Sequence, residues 1–539
     1  MSTSARHAPF VSWSARNPSA GEHCPTEIGF LKLSWRWTLA IFFLAALTIR
    51  IVFLFVAPNN STDAWSRYVA AKVWLQHPGQ LPPATALDAW LPMHFWLLGG
   101  VQWVTKSEMA ARGLSVLLGS CTVILLAGIG DRAFNRLVAS GSALLLTFFG
   151  FHIAFSVTTS SEALTIFLIA LGTYAWIRYA ANASWSWALI SSAALNIASL
   201  CRFESWLCGP VLALMLLPDD SGAWPVGGPS RRAWWRALGF GFLSSLGALG
   251  WLVFSYLKWG DPLELPHRTM WLNAQFQPSH HSIWYRAVSV PGSILVSLSP
   301  LMAALTLIGG VRVWGQGTRA ARATLRLALI LFAFNYYNSV RYQTTQARYT
   351  LLYSWLFLPF VLEGLKYWLS RWRWADTSRA FALVLVLFLA WQAGIAVAAS
   401  YVPQPIGDHL GALSPTIPLH AEIRGLTKWL KTSGAQHGAV ILDDYNWESE
   451  EVFRFANLTA SRTFSITQQD YDNPRKLNLR LAEFVRGQHP GLLICSPEGP
   501  IGRTWCLDPR KPVRVADSNL LLAPLWLGPH WQIYAISYY

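Results

Sequence analysis

A run from Trp37 to Ala57, apolar except for Thr38, Thr48 and Arg50 and closed by Pro58, constrains this chain more than any other feature. An α-helix needs roughly twenty mainly apolar residues to cross a bilayer, so this run is expected to span one. Similar runs are centred near Leu118, Leu145, Ile169, Leu195, Leu214, Leu246, Leu305, Leu331, Leu356 and Leu387, giving about eleven expected spans between residues 37 and 400. Composition agrees: 53% of residues are hydrophobic, only 13% are charged, and mean hydropathy is +0.32. Soluble domains carry about twice that share of charge. The 30 Trp also suit a chain with many membrane interfaces. The fold class read from these features is an α-helical polytopic membrane protein.

The formal net charge of +15 lies entirely in the first 400 residues, which hold 29 basic and 14 acidic side chains; the tail from Tyr401 holds 13 of each. With residues 1–36 as a disordered cytoplasmic lead, the loops bearing Arg132, Arg136, Arg178, Arg231 to Arg236, Arg312 to Arg326 and Lys366 to Arg379 fall on the cytoplasmic side. That is the positive-inside pattern, so the basic excess reports membrane topology and no nucleic-acid partner is expected. An odd number of spans then puts the tail outside, with the chain in the cell's inner membrane. The six Cys, at 24, 121, 201, 208, 495 and 506, form no CxxC and no metal-ligand spacing. Cys495 and Cys506 are close enough in sequence for a disulfide or for two unpaired thiols. The chain contains no P-loop and no GxGxxG, so no nucleotide site is expected.

Chemistry-bearing residues collect in the loops assigned to the outer face. The first of these, residues 58–96, is too polar and Pro-rich for lipid and carries Asp63, Arg67, Lys72, Asp88, Pro92 and His94. Asp63 and Arg67, four apart, share a face if this stretch is helical. A carboxylate at the mouth of a helical bundle can act as a general base and neighbouring cations can hold a phosphate. Asp63 as a plain helix cap is the other reading. Arg50, inside the first span, is expected to pair with Glu162 or Glu204 or to snorkel outward. Arg202 and Glu204 stand two apart, so on a helix they would not face each other and each is expected to have its own partner, structural or in a cavity. Arg341 and Arg348, beside Tyr342 and Tyr349, suit phosphate recognition or interfacial anchoring. His94, His267, His280 and His281 match no compact metal-ligand set and read as surface or cavity histidines.

In order along residues 35 to 370 come TDAWSRYVAAKVW, WLPMHFWLLGG, AARGLSVLLGS, TTSSEALTIFLIALGTY, SLCRFESW, WGDPLEL and QARYTLLYSWLFLPF. This series resembles the GT-C superfamily of integral membrane glycosyltransferases, in particular the bacterial relatives of dolichyl-phosphate-mannose protein mannosyltransferases and the lipid A aminoarabinose transferases. The resemblance implies an inverting glycosyltransferase. A polyprenyl-phosphate-linked sugar would pass to an acceptor hydroxyl on protein, lipid or polysaccharide, with Asp63 as base. It also implies a phosphate-binding role for Arg348 and, more weakly, Arg341. Arg67, Arg202, Glu204 and His94 complete the expected donor-side set. No cofactor is expected. A divalent metal is left open, because Ala64 stands where many relatives carry a second acid. Leu91-Pro92-Met93-His94 replaces the Lys-Pro-Pro element of the aminoarabinose enzymes. The competing readings are a lipid-sugar flippase or transporter, and a polysaccharide ligase or polymerase.

The tail changes character after a Pro- and Gly-rich linker at 401–418. Within 419–539, AEIRGLTKWLKTSG and NPRKLNLRLAEFVRG read as helices, EEVFRFANL as helical, and GAVILDD, RTFSI and GLLICS as strands. Alternation of this kind predicts a small extracytoplasmic α/β domain with a mostly parallel sheet.

Overall fold

The computed structural model describes residues 34–57, 90–105, 107–217, 228–269, 282–342, 346–371, 377–401, 421–444, 462–466, 474–505, 511–515 and 519–539, with single positions between 64 and 75 and between 449 and 458. Asp63, Lys72, Asp88, His280, His281 and Cys506 lie outside the described residues.

The first part is helical: α1 Trp35–Val56, α2 Met93–Thr105, α3 Glu108–Ala133, α4 Arg136–Thr147, α5 Gly150–Ser156, α6 Glu162–Asn182, α7 Trp185–Ser199, α8 Cys208–Leu214 and α9 Arg231–Trp259. Then follow α10 Ile283–Leu298, α11 Pro300–Gln316, α12 Arg319–Tyr342, α13 Leu351–Ser354, α14 Leu358–Arg371 and α15 Thr377–Tyr401. Among the described residues five helices are long and apolar enough to cross a membrane, and up to seven if each bent pair counts as one span. Seven of the eleven expected centres fall on these. Those near Leu195, Leu214, Leu331 and Leu356 fall on α7, α8, α12 and the broken helical stretch Ala347–Arg371, each too short or too polar to pass alone. The chain is an integral membrane protein.

Two helix pairs are sharply bent, α4 and α5 by 60° and α10 and α11 by 101°. A break frees backbone groups that lipid cannot satisfy, and side chains of other helices take them up. Gly150, at the start of α5, donates its N–H to Gln392 Oε1 (3.1 Å), while Gln392 Nε2 donates to the Ser297 carbonyl (2.8 Å). The indole of Trp391 donates to the Val296 carbonyl at 2.6 Å. One turn of α15 therefore satisfies both breaks. Elsewhere α11 and α14 touch backbone to backbone: a Cβ on Gly309 would strike the Phe360 carbonyl and one on Gly364 the Leu305 carbonyl. Small residues permit such close crossings where apolar burial drives nothing.

Arg50 corrects one expectation. It is fully buried, but it pairs with neither Glu162 nor Glu204. Its Nη1 donates to the Ala46 carbonyl at 3.1 Å, and its Nη2 reaches His152 Nδ1 at 2.8 Å and the Leu146 carbonyl at 3.4 Å. The break after α4 offers a carbonyl and an imidazole at the depth of Arg50, and the two glutamates are held by another arginine.

The tail forms a separate α/β unit. Helix α16 (Ala421–Ser433) leads to β1 (Val440–Leu442), then β2 (Thr463–Ser465), α17 (Pro474–Gln488), β3 (Leu492–Cys495), α18 (Pro500–Trp505), β4 (Val513–Arg514), β5 (Leu520–Leu527) and β6 (Gln532–Tyr538). The sheet order is β2-β1-β3-β6-β5-β4. Strands β2, β1 and β3 are parallel as expected, but β6, β5 and β4 run antiparallel. The sheet is therefore mixed rather than mostly parallel, because the chain closes it with a hairpin instead of further helical crossovers. Alternating strand residues feed two cores: Val440 and Leu442 pack with Ile423, Leu426 and Leu430 of α16, and Ile441 packs with Leu477 and Leu481 of α17. Cys495 is a buried free thiol.

Asp443, just after β1, is fully buried and accepts the N–H groups of Ile501 (3.0 Å) and Gly502 (3.0 Å), tying α18 to the sheet. Burial, with the adjacent Asp444 adding to it, pushes its carboxyl up to about 7 despite those bonds. A carboxyl that holds its proton more tightly folded than unfolded stabilises the fold below its ordinary value of about 4. That contribution disappears as pH climbs to the folded value. Unfolding of this domain in the full chain is expected to shift to lower temperature between about pH 4 and 7, and Asp443→Asn to lessen that slope. Identical slopes in both proteins would show that Asp443 is not the titrating group.

Candidate active site

The cluster that gathers the sequence motifs is built on the turn between α5 and α6. Thr158, Thr159, Ser160 and Ser161 are all buried, and Thr158 Oγ1 and Ser160 Oγ share a 2.7 Å hydrogen bond that closes the turn. Thr159 Oγ1 donates to the carbonyl of Ala64 at 2.5 Å. This bond ties the turn to the first loop one residue beyond Asp63. Glu162 then opens α6, where a carboxylate suits the positive end of the helix dipole.

The partner of Glu162 is Arg202. Its Nη1 donates to Glu162 Oε1 at 2.9 Å and to Ser161 Oγ at 3.3 Å, and its Nη2 donates to Glu204 Oε1 at 2.9 Å. The expectation that Arg202 and Glu204 take separate partners is thus corrected. Arg202 has extended backbone (φ −151°, ψ 141°) and Glu204 sits in the tight turn Phe203–Leu207, so α-helical spacing does not apply to the pair. Side-chain exposure is 8% for Arg202, 0% for Glu162 and 15% for Glu204. Two carboxyl groups bracket one guanidinium, and Glu162 Oε2 is buried with no hydrogen-bond partner among the described residues. The backbone N–H of Met93 donates to the Leu200 carbonyl at 3.0 Å, which fixes the start of α2, and with it buried His94, against the turn that presents Arg202.

The QARY motif arrives from the other end of the chain. Residues Ala347–Thr350 form a short 3-10 turn, and the ring of Tyr349 lies 5.2 Å from the guanidinium carbon of Arg202 and 5.2 Å from that of Arg348. Arg67, also buried, lies 4.3 Å above the ring of Trp90 and 5.8 Å from Phe95. Arg341 is exposed at the end of α12 and stacks on Tyr342 at 5.4 Å; no described contact carries it to the triad. Two other loop carboxylates have local partners: Asp261 meets His267 at 2.7 Å and Glu264 meets Arg268 at 2.6 Å.

Sequence reasoning overlooked Arg112. It is 5% exposed and its guanidinium donates to the carbonyls of Val157 (2.7 Å), Leu54 (3.1 Å) and Ala57 (2.6 Å). The end of α1 and the start of the Thr158–Glu162 turn therefore hang from one side chain. Its only sequence signal is a charge at the start of an apolar run, within AARGLSVLLGS. Among the described residues no group of three or more His, Cys, Asp or Glu could hold a metal ion.

Comparison with known proteins agrees with this architecture. The family model for dolichyl-phosphate-mannose-protein mannosyltransferase matches residues 82–225. No curated protein matches the chain. The structure of ArnT from Cupriavidus metallidurans bound to undecaprenyl phosphate superposes over 93% of this chain and 98% of its own, at 12% identity and a TM-score of 0.59. The same protein in the apo state gives the same coverage and identity, with a TM-score of 0.57. The oligosaccharyltransferase AglB from Archaeoglobus fulgidus, in complex with an inhibitory peptide and a dolichol-phosphate, aligns over 86% of this chain and 70% of its own at 11% identity; its TM-score of 0.45 is too low to equate the folds. The chain thus shares its fold with the ArnT structure over nearly its whole length, and residues 82–225 match the mannosyltransferase family model.

Proposed function

We propose that this protein is an inverting glycosyltransferase that moves a sugar from a polyprenyl-phosphate carrier to an acceptor hydroxyl on the extracytoplasmic face of the cell's inner membrane. What supports this reading above all is the convergence, in one buried charged cluster, of the Thr158–Glu162 turn bonded to Ala64, the Arg202 triad, and Tyr349 with Arg348. Those segments are separated by up to some three hundred residues in the sequence. A sugar phosphate is already an activated donor, so the protein has to supply position, a base and a grip on the departing phosphate. Asp63 takes the proton of the acceptor hydroxyl as its oxygen attacks the anomeric carbon. The bond from that carbon to the phosphate oxygen breaks, and the electron pair leaves with the lipid phosphate.

Arg202 spends both terminal nitrogens on Glu162 and Glu204, which makes it the group that locks the carboxylates in place. Arg348 is the phosphate ligand, helped by Arg67, and Arg341 contributes at most from the rim. No step of this reading is routed through a metal ion. The arginine distribution orients the cluster and the α/β tail outward.

Purified protein incubated with a labelled polyprenyl-phosphate sugar and a mixture of acceptors should transfer the label. Movement of the labelled lipid across vesicles without transfer would favour a flippase, and exclusive use of a diphosphate-linked oligosaccharide would favour a ligase or polymerase. Arg348→Ala should weaken binding of undecaprenyl phosphate about ten- to hundredfold, the range for a lost hydrogen bond to a charged group. Wild-type affinity in that variant would remove Arg348 from the phosphate site.

A further inference from the structure

We propose that Arg322 and Arg326 form a binding site for the phosphate of an anionic phospholipid, at the end of the helical bundle away from the Arg202 triad. Helix α3 separates the two sites. Near its start Arg112 holds the Val157 carbonyl beside the Thr158–Glu162 turn, and at its last residue the Ala133 carbonyl accepts a 2.7 Å bond from Thr318 Oγ1. From Arg112 to Ala133 the helix rises about 30 Å. It is one of the helices long enough to cross a membrane, so Thr318 stands level with its far end, at a bilayer surface. Thr318 also caps α12 by accepting the N–H of Ala321 (3.1 Å), and Arg319 Nε donates to the Met215 carbonyl at 3.1 Å. The first turns of α12 are fixed at that level.

Arg322 and Arg326 follow, four residues apart on one helix face, where like charges destabilise each other. The guanidinium carbon of Arg326 lies 5.2 Å from the ring of Trp314, and its Nη1 meets the weakly accepting thioether of Met215 at 3.3 Å. Arg322 Nε is buried with no hydrogen-bond partner among the described residues. The described carboxylates at this end serve other cations: Asp131 lies 3.8 Å from Arg136, and Glu363 lies 3.9 Å from Arg312 and 3.7 Å from Lys366. Beside the two arginines lies a surface made for lipid. Leu307, Val311 and Trp314, spaced along one face of α11, are all exposed, as are Leu329 and Ile330 one turn further along α12. A phosphate ester at the bilayer surface supplies the missing negative charge and accepts paired guanidinium bonds. Its acyl chains run along the apolar face, which a free phosphate would leave bare.

Full-length protein in detergent should bind phosphatidylglycerol at least about tenfold more tightly than phosphatidylcholine, and the anionic lipid should raise the thermal midpoint by a few degrees. Native mass spectrometry and melting of the wild type give both numbers without any variant. Arg322→Gln combined with Arg326→Gln should abolish the preference and the shift, whereas Arg231→Gln with Arg232→Gln, exposed at the start of α9, should keep them. Should the first pair misfold, each single Gln substitution is expected to weaken phosphatidylglycerol binding about tenfold. Undecaprenyl phosphate should bind the Arg322/Arg326 variant within about twofold of wild type, because that ligand belongs to the other end of α3. Equal binding of the two phospholipids would overturn the inference and leave Asp219 and Asp220, which lie outside the described residues, as the counter-charges. The same shift from inorganic phosphate in phosphatidylcholine micelles, an equal loss in the Arg231/Arg232 pair, or a lost undecaprenyl phosphate affinity would each overturn it too. None of these results bears on the transferase reading.

Discussion

Asp63→Asn should reduce transfer by about two to four orders of magnitude, the usual loss when a general base is removed, while the protein still folds and binds undecaprenyl phosphate. The side chains are nearly isosteric, and the bond from Thr159 to the Ala64 carbonyl next to it runs to backbone and survives the change. The loss should appear in kcat and kcat/KM alike, since a proton acceptor acts in the transition state and hardly at all in donor binding. Rates from initial transfer of a labelled sugar, with lipid binding measured in parallel, separate the two. Turnover near wild type would move the base to Asp88 or Glu204 and would remove Asp63 from the chemistry.

Arg202→Ala is expected to damage the fold itself. The substitution strands a fully buried Glu162 and a nearly buried Glu204, both of which rely on the lost guanidinium. Breaking a buried ion pair by deleting one partner costs about 3–5 kcal/mol, because the remaining charge stays desolvated. The purified variant should unfold at a markedly lower temperature in detergent, or fail to accumulate. Adding Glu162→Gln should recover part of that stability without restoring transfer, since the carboxylate framework is gone. A variant that melts like wild type would mean that the triad is hydrated and contributes no structural constraint.

Much of the architecture was legible because apolar length and period leave few choices. The runs around Trp37 to Ala57 and Leu118 became α1 and α3, and the strand-helix alternation after the linker became β1, β2, α17 and β3. The last three strands escaped, since LLLAPLWL carries a proline and lacks the clean alternation that marks a strand exposed on one side. The breaks before Gly150 and Pro300 were also missed: hydropathy averages over a window and is blind to a bend whose freed backbone groups are met by Gln392 and Trp391 from far along the chain.

For the site, the residue types were readable and the pairings were not. For Arg50 the sequence offers a glutamate partner or snorkelling to the interface, yet the side chain reaches His152 and the Leu146 carbonyl. Arg202 and Glu204 were judged on helical spacing, which the extended backbone at 202 does not follow. By itself the sequence determined that this chain must lie in a bilayer and that its tail folds as an α/β unit, since hydropathy acts locally on each segment. Only the tertiary structure decided that Arg202 joins Glu162 to Glu204, that Tyr349 meets both Arg202 and Arg348, and that Arg112 ties the end of α1 to the start of the Thr158–Glu162 turn. A buried charge takes whichever partner the packing of distant helices brings within about 3 Å, and no local rule of the chain encodes that distance.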